Sequence, residues 1–182
     1  MQNLKQYKLP KNWVSKSNFL KLIIWRIVGF PILSSFIPGT LWRKILLIIF
    51  GSKIGRGGRI KPYLKVTYPW KLKVGNYCWI GEEVWIDNLD NVNIGNNVCL
   101  SQRTYLCTGN HNYKSMNFDL ITKPITIEDG SWIGACCILS PGSLIGRNSV
   151  VSMGSLIKGT TEQNSIYMGN PAKFLRERKF NL

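Results

Sequence analysis

The sequence has 182 residues, 45% of them hydrophobic, and a formal net charge of +15 at pH 7. This length and composition fit one globular domain with an appendage. Residues 1–81 contain fifteen Lys and Arg and no acidic residue, whereas the rest contains nine basic and nine acidic residues. The excess positive charge therefore belongs to the N-terminal part of the chain.

This one-sided charge predicts an anionic partner, such as a lipid headgroup or a phosphate-bearing substrate. A solvated basic face that only aids solubility is the alternative. Nucleic acid is not expected as a partner, because no recognition motif accompanies the charge.

The five cysteines have the spacing of neither a zinc site nor a disulfide framework, and scattered thiols favour the reducing cytoplasm. The apolar N-terminal stretch lacks an A-x-A cleavage site, so a signal peptide is not expected. Its longest uncharged run, residues 27–42, is interrupted by Gly and Pro and is shorter than the roughly 20 residues of a membrane span. A cytoplasmic protein is predicted.

The first fifty residues predict a basic segment with two short helices. Ser17 is the expected N-cap of a helix over Asn18–Val28, which should stop at Gly29. Thr40 should cap a second helix over Leu41–Phe50, with the following Gly as its stop. This second helix is apolar nearly all round, so it must be buried against the rest of the protein, a neighbouring subunit or a bilayer surface.

Between Gly51 and Gln163, aliphatic residues recur at a spacing of six, and Gly often follows them. The aliphatic positions are Ile54, Ile60, Val66, Val74, Ile80, Ile86, Ile94, Leu100, Leu106, Ile127, Ile133, Leu139, Ile145, Val151 and Ile157. A small or β-branched residue lies four positions after most of them, including Cys78 and Cys137, which we interpret as small buried hydrophobes.

This period predicts an all-β fold, a parallel β-helix whose coils have three flat faces and three corners. The aliphatic residues of successive coils should stack into one core, and Gly should relieve the backbone at each corner.

Residues 107–126 cannot keep the six-residue rhythm, so they should leave the coil as a protruding loop. Long loops on rigid scaffolds often carry function. His111, the only histidine of the chain, lies at the root of this loop. One histidine cannot supply a three-histidine metal site, so no metal is expected.

The hexads, the segment Cys107–His111, the stretch Trp132–Ala135 and the tail Gly169–Lys173 resemble the hexapeptide-repeat acetyltransferases. The resemblance is greatest to the colanic-acid-type polysaccharide acetyltransferases and the galactoside and maltose O-acetyltransferases. It implies a left-handed coil, a homotrimer, and acetyl-CoA bound in a groove between two subunits. It also implies that His111 is the general base that removes the proton of a sugar hydroxyl, with backbone N–H groups stabilising the oxyanion and no covalent acyl-enzyme.

The resemblance also implies a set of cofactor-binding residues. Ala135 and Met153 would contact the pantetheine arm through their backbones, and Lys158, Lys173 and Arg176 would lie near the CoA phosphates. A solvated basic tail is the alternative for Lys173 and Arg176.

Two further expectations concern the acceptor side and the tail. Asp87 and Asn88 correspond to a segment that binds sugar hydroxyls in the galactoside enzymes, although polar corner residues can also serve only the turn. Within residues 164–182, Asn170 and Pro171 predict the start of a short C-terminal helix.

The predicted function is O-acetylation of a sugar in exopolysaccharide or lipopolysaccharide synthesis, with an acceptor carried on a membrane lipid and peripheral membrane contact through the basic N-terminal region. Three alternatives stay open. Cys107 and His111 could form a nucleophilic pair, the acceptor could be a small xenobiotic or an amino-acid hydroxyl, or the β-helix could be a scaffold that binds no CoA.

Overall fold

The computed structural model describes residues 4–9 and 17–180. A 3-10 turn covers Leu4–Gln6. The first helix is longer than predicted: α1 (Phe19–Ile24) continues through a π-helical turn (Trp25–Gly29) into α2 (Phe30–Leu33). Gly29 does not end it, since its φ of −66° and ψ of −45° are helical. The glycine is needed there for space, because a Cβ would overlap the Trp25 ring.

The predicted capping of the first helix was also wrong by one residue. Asn18, not Ser17, is the N-cap, and its side-chain oxygen accepts the Lys21 backbone N–H at 2.8 Å. An amide side chain satisfies an unpaired N–H of the first turn as well as a hydroxyl does.

The helix α3 (Leu41–Ile49) lies where the second helix was predicted, with Thr40 at the N-cap position. The Thr40 hydroxyl makes no cap hydrogen bond and instead bonds the backbone of Ile60 in the first coil. Gly51, at φ +96°, takes the left-handed conformation that ends the helix, as predicted. None of the helices in the described ranges is long and apolar enough to cross a membrane.

The rest of the chain is built from short strands, with one 3-10 turn at Pro69–Lys71. They are β1 (Lys53–Ile54), β2 (Arg59–Ile60), β3 (Lys65–Val66), β4 (Leu72–Val74), β5 (Trp79–Ile80), β6 (Trp85–Asp87), β7 (Val92–Ile94), β8 (Cys99–Leu100), β9 (Tyr105–Cys107), β10 (Gly109–His111), β11 (Leu120–Thr122), β12 (Ile125–Ile127), β13 (Trp132–Ile133), β14 (Ile138–Leu139), β15 (Leu144–Ile145), β16 (Val150–Val151), β17 (Leu156–Ile157), β18 (Ser165–Gly169) and β19 (Ala172–Glu177).

These strands stack as a parallel β-helix of about six coils with three faces. Face A contains β1, β4, β7, β12 and β15; face B contains β2, β5, β8, β13, β16 and β18; face C contains β3, β6, β9, β14 and β17. The chain passes from face A to B to C in each coil, so each coil has an A–B, a B–C and a C–A corner.

The six-residue period predicted the core correctly. Every aliphatic residue of the repeat is buried except Ile54, which is half-buried. The small or β-branched residues predicted four positions later are buried too, and Cys78 and Cys137 lie in the core as expected. A single coil could not bury these side chains, so the coils stabilise one another by stacking.

The structural role predicted for the repeat glycines was wrong. None of the glycines that follow the aliphatic residues has a positive φ. The left-handed backbone lies two residues after these glycines, on Tyr77, Glu83, Asn97, Cys136 and Asn148, and at the equivalent Arg103, with φ of 55–58°. The glycines are needed because the next coil is too close: a Cβ on Gly75 would lie 2.5 Å from the Gly95 carbonyl oxygen, and one on Gly81 would lie 2.7 Å from the Gln102 nitrogen.

The predicted C-terminal helix does not form. β18 adds to face B by parallel pairing with β16, so its backbone groups are used by the sheet. The chain then turns at Gly169 and the cis Asn170–Pro171 bond and returns as β19, antiparallel to β18. The tail is therefore a β-hairpin on the last coil.

Candidate active site

The predicted loop leaves the coil at the C–A corner of the third coil. It forms a two-stranded antiparallel hairpin in which Gly109 pairs with Thr122 and His111 pairs with Leu120. Its stem is fixed on the corner of the coil below, where Thr108 bonds the Asp87 carbonyl through both its amide and its hydroxyl. His111 is thus held by strand pairing and is half-buried.

The hydrogen bond of the imidazole fixes its tautomer. His111 Nδ1 lies 2.7 Å from the Phe118 carbonyl oxygen. A carbonyl oxygen only accepts, so Nδ1 carries the proton and Nε2 keeps its lone pair. His111 can therefore accept a proton at Nε2, and the resulting imidazolium keeps its bond to Phe118.

Two aromatic rings position the imidazole. The Phe118 ring is stacked on it, with centroids 4.1 Å apart and planes 4° apart, and the Tyr7 ring meets it edge-on at 5.7 Å. Sequence reasoning missed both residues. Phe118 lies in a loop without a periodic pattern, and Tyr7 is separated from His111 by the N-terminal helices and the first three coils. Neither position therefore carries a sequence signal for this contact.

Asp87 lies directly beneath the loop stem, at the end of β6. Its Oδ1 accepts the Thr67 hydroxyl at 2.8 Å, and its Oδ2 accepts the Tyr105 hydroxyl at 3.2 Å. Burial, with Cys107 and Asp87 beside it, raises the pKa of Tyr105, so its phenol stays protonated and donates. The half-buried carboxylate has lone pairs left for a further hydroxyl donor.

The Asn88 side chain is not accessible to an acceptor sugar. It is fully buried, its Oδ1 accepts the Tyr68 N–H at 2.9 Å, and its Nδ2 donates to the Tyr68 carbonyl at 2.7 Å. In this geometry its amide joins two successive coils, and a ligand could reach it only if these bonds broke.

The geometry gives no support to a Cys107–His111 pair. The Cys107 thiol donates to the Gly109 carbonyl at 3.1 Å, and Nδ1 of His111 is bonded to Phe118. The hydrogen of the thiol therefore points to a backbone carbonyl and not to the imidazole.

The residues predicted to bind the pantetheine arm lie at another corner. Ala135 and Met153 occupy equivalent places in successive coils at the B–C corner, where the Gly154 N–H donates to the Ala135 carbonyl at 2.8 Å. Gly134 keeps this corner narrow, since a Cβ there would lie 2.6 Å from the Met153 nitrogen.

A hollow of about 370 Å³ lies beside the same corner in the coils below. Trp79 and Trp132 line it, together with Arg59 and the corner residues Glu82 and Gln102. The hollow thus continues the column of Ala135 and Met153 past the third coil to the level of Arg59 in the first coil.

Of the three predicted cations, Lys173 lies at the B–C corner, Lys158 lies at the C–A corner, and Arg176 lies on face B. The tail hairpin turn lies at the B–C corner, where the Gly169 N–H donates to Ser155 Oγ at 3.0 Å, so Lys173 lies above the Met153 column. Arg176 pairs with Ile166 three residues along β19. Lys158 follows β17 at the C–A corner, the corner from which the loop leaves two coils earlier. All three are exposed.

Comparisons with known proteins agree with this architecture, although no protein-family model matches the sequence. The hexapeptide-repeat acetyltransferase VCA0836 of Vibrio cholerae, solved with acetyl coenzyme A, superposes with a TM-score of 0.80 over 88% of each chain at 23% identity. The Escherichia coli K12 protein named colanic acid biosynthesis acetyltransferase WcaF is 37% identical over 180 residues, which cover 98% of each chain. The chain belongs to the hexapeptide-repeat acetyltransferases. Membership of this family makes it an acetyltransferase.

The fold of this acetyltransferase is shared beyond its sequence relatives. A maltose O-acetyltransferase of Clostridium difficile superposes with a TM-score of 0.74 over 90% of each chain at 20% identity. Within residues 4–9 and 17–180, no group of three or more His, Cys, Asp or Glu side chains could hold a metal ion.

Proposed function

We propose that this acetyltransferase moves the acetyl group of acetyl-CoA to a hydroxyl of a sugar in exopolysaccharide or lipopolysaccharide synthesis, with His111 as general base. The observation that carries the proposal is the bond from His111 Nδ1–H to the Phe118 carbonyl, which leaves Nε2 as a proton acceptor at the end of a rigid hairpin.

The chemical step is a direct transfer. Nε2 of His111 takes the proton of the sugar hydroxyl while the hydroxyl oxygen attacks the thioester carbonyl. The tetrahedral oxyanion collapses, the C–S bond breaks, and the imidazolium returns the proton to the CoA sulfur. The Phe118 carbonyl stabilises the imidazolium through a charge-assisted hydrogen bond at Nδ1.

The placement of the donor site supports a shared groove. His111 projects from the C–A corner, whereas Ala135, Met153 and Lys173 lie at the B–C corner, with face C between them. In the homotrimer that we propose, the loop of one subunit meets the B–C corner of its neighbour, and acetyl-CoA lies between them. The pantetheine arm would follow the Ala135–Met153 column, with its phosphates at Lys173 and its thioester at the level of His111.

We assign binding of the acceptor sugar to Asp87, at the corner beneath the loop. Asp87 is a half-buried carboxylate beside the loop stem, and a carboxylate of this kind suits a sugar hydroxyl. Asn88 is left out of this assignment, because both ends of its amide are bonded to Tyr68. The kinship with WcaF favours a glycan precursor over a small xenobiotic or an amino acid.

Substitution of the base tests the proposal. We expect His111→Ala to lower kcat at least about 100-fold, the scale of a lost general base, with KM for acetyl-CoA changed by less than about twofold. Initial rates of CoA release with a panel of sugar, xenobiotic and amino-acid acceptors would measure both constants and identify the acceptor class.

Cys107→Ala is the matched control, since it alters the same loop root and should keep most of the activity. Near-normal turnover by His111→Ala would remove His111 from its role. Loss of activity in Cys107→Ala with retained folding would point to a thiol nucleophile instead.

A further inference from the structure

The helices at the N-terminal end of the coil expose an unusual apolar surface. We name this surface the cap face and define it by six side chains, each at least 65% exposed: Phe19, Leu20, Ile27, Phe36, Leu41 and Ile49. Large aliphatic and aromatic side chains grouped in this way on a folded domain indicate an interaction site.

The cap face points away from the protein core. The continuous helical segment from α1 to α2 buries a stripe spaced four residues apart, formed by Trp25 and Gly29 of the π-helical turn and Leu33 of α2. In the same way, α3 buries Arg43 and Leu47. α2 packs on β3 and α3 packs on β1, so both buried stripes face the first coil. The exposed apolar residues therefore lie on the opposite side of both helices.

The two helices form one rigid unit. Trp25 packs on Phe50 at the end of α3 with ring centroids 4.9 Å apart, and its indole N–H donates to the Thr67 carbonyl at 3.1 Å. Arg43 donates to the carbonyls of Ser35, Ile37 and Gly39, which fixes the connection that carries Phe36. The cap face is thus presented on a fixed support.

A basic belt surrounds the base of this unit. It consists of Lys53, Arg56, Arg59, Lys61 and Lys65, all exposed and all in the first coil, next to the helices. Residues 1–81 contain no acidic residue. The nearest carboxylates are those of Glu82 and Glu83 in the second coil, and Glu83, which is paired with Arg103 at 2.8 Å, also attracts Lys65. The belt of five cations therefore keeps an excess of positive charge. An apolar face with an excess of cations at its base is complementary to an anionic lipid surface.

We propose that the cap face docks this protein on an anionic membrane, with the apolar side chains at the level of the acyl-chain boundary and the basic belt at the phosphate headgroups. A second copy of the chain fits this face poorly, because two cap faces in contact would bring two basic belts together. The described helices are too short to span a bilayer, so the protein lies on the membrane surface.

Docking in this way would hold the active site close to the headgroups. The loop with His111 leaves the third coil, and strands of successive coils are about 4.8 Å apart, which puts its root about 10 Å above the first coil. If the proposed function holds, an acceptor glycan on a membrane lipid could reach His111 without leaving its bilayer.

Flotation of the full chain with phosphatidylcholine vesicles, with and without phosphatidylglycerol, tests the proposal. We expect about tenfold tighter binding to the phosphatidylglycerol vesicles, reduced by added salt. The double variant Ile27→Gln with Phe36→Gln should lose about tenfold or more in binding, whereas Phe180→Gln, an exposed aromatic at the other end of the chain, should not. Lys53→Gln with Arg56→Gln should weaken binding more than Arg147→Gln with Lys179→Gln, which removes the same charge elsewhere.

Three outcomes would overturn the proposal. They are unchanged vesicle binding by the Ile27 and Phe36 double variant, equal binding to neutral and anionic vesicles, and a smaller oligomer of that variant by light scattering, which would make the cap face a subunit interface. Acetyl transfer to a water-soluble acceptor without vesicles should stay within about twofold in all these variants. If the wild-type protein transferred no acetyl group to such an acceptor, the proposed function would be contradicted. The vesicle-binding measurement would still test membrane docking by itself.

Discussion

At the scale of single residues, the buried amide of Asn88 shows how a polar side chain can stabilise a β-helix corner. Its two hydrogen bonds to the Tyr68 backbone cross from one coil to the next. A buried backbone group that loses its partner costs about 1–3 kcal/mol, so the corner should be sensitive to its removal.

We therefore expect Asn88→Ala to lower the free energy of unfolding by about 2 kcal/mol, measured by urea denaturation, with little change in kcat per folded molecule. Asn93→Ala, on the outer side of β7, is the matched control and should cost less than about 0.5 kcal/mol. A variant of Asn88 with normal stability but a raised acceptor KM would instead make this residue an acceptor contact.

Also at this scale, the repeat glycines are required by the close approach of the next coil and not by their φ angles. A side chain at Gly134 would overlap the Met153 backbone of the next coil, although the φ of Gly134 is one that any residue can adopt. A glycine at this position of a hexad therefore indicates that the next coil is too close for a side chain. The left-handed corner position, in contrast, is occupied by Tyr, Glu, Arg and Cys.

At the scale of elements, the tail hairpin of β18 and β19 places Lys173 where a helix was expected. The hairpin turn is tied to Ser155 at the B–C corner, and its second strand returns along face B. The role proposed for Lys173 thus depends on an element that the sequence pattern of Asn170 and Pro171 predicted wrongly.

Lys173→Ala should raise KM for acetyl-CoA about tenfold, the effect of one lost charge-assisted bond to a phosphate, and leave kcat within about twofold. The wild-type KM should rise with ionic strength more steeply than that of the variant. Lys179→Ala, in the same basic tail, is the control. Equal effects of both substitutions would indicate a general attraction by a solvated tail and no phosphate contact.

At the scale of the whole molecule, the base His111 and the predicted CoA-binding residue Ala135 define two half-sites at different corners. Their separation predicts that each active site contains residues of two subunits. His111 lies at the C–A corner and Ala135 at the B–C corner, so each site of the proposed trimer combines two chains. Two variants that damage different half-sites should then complement each other.

We expect His111→Ala and Ala135→Trp each to be inactive alone, and their co-expressed mixture to recover about a quarter of wild-type activity, since random mixing leaves about one site in four intact. Co-expression of His111→Ala with His111→Gln should recover none. Mixed oligomers without activity would place both half-sites in one chain, and a monomer by light scattering would remove the shared groove.

The sequence by itself determined the repeat, the core and the position of the loop. The aliphatic column and the small residues four positions later follow from a period of six, and His111 follows from the break in that period. These features are local and periodic, so each coil repeats the same information, and they could be predicted with the resemblance to the acetyltransferases. The left-handed coil implied by that resemblance stays a prediction.

Only the tertiary structure decided which groups meet. The bond from His111 to Phe118, the contact with Tyr7, the burial of Asn88 and the return of the tail as a hairpin all join residues whose proximity no period encodes. The sequence also showed that the second N-terminal helix is apolar nearly all round, but not which side it exposes. The exposed side of both helices was decided by the first coil, which buries Trp25 and Leu47 and leaves Ile27 and Ile49 to solvent.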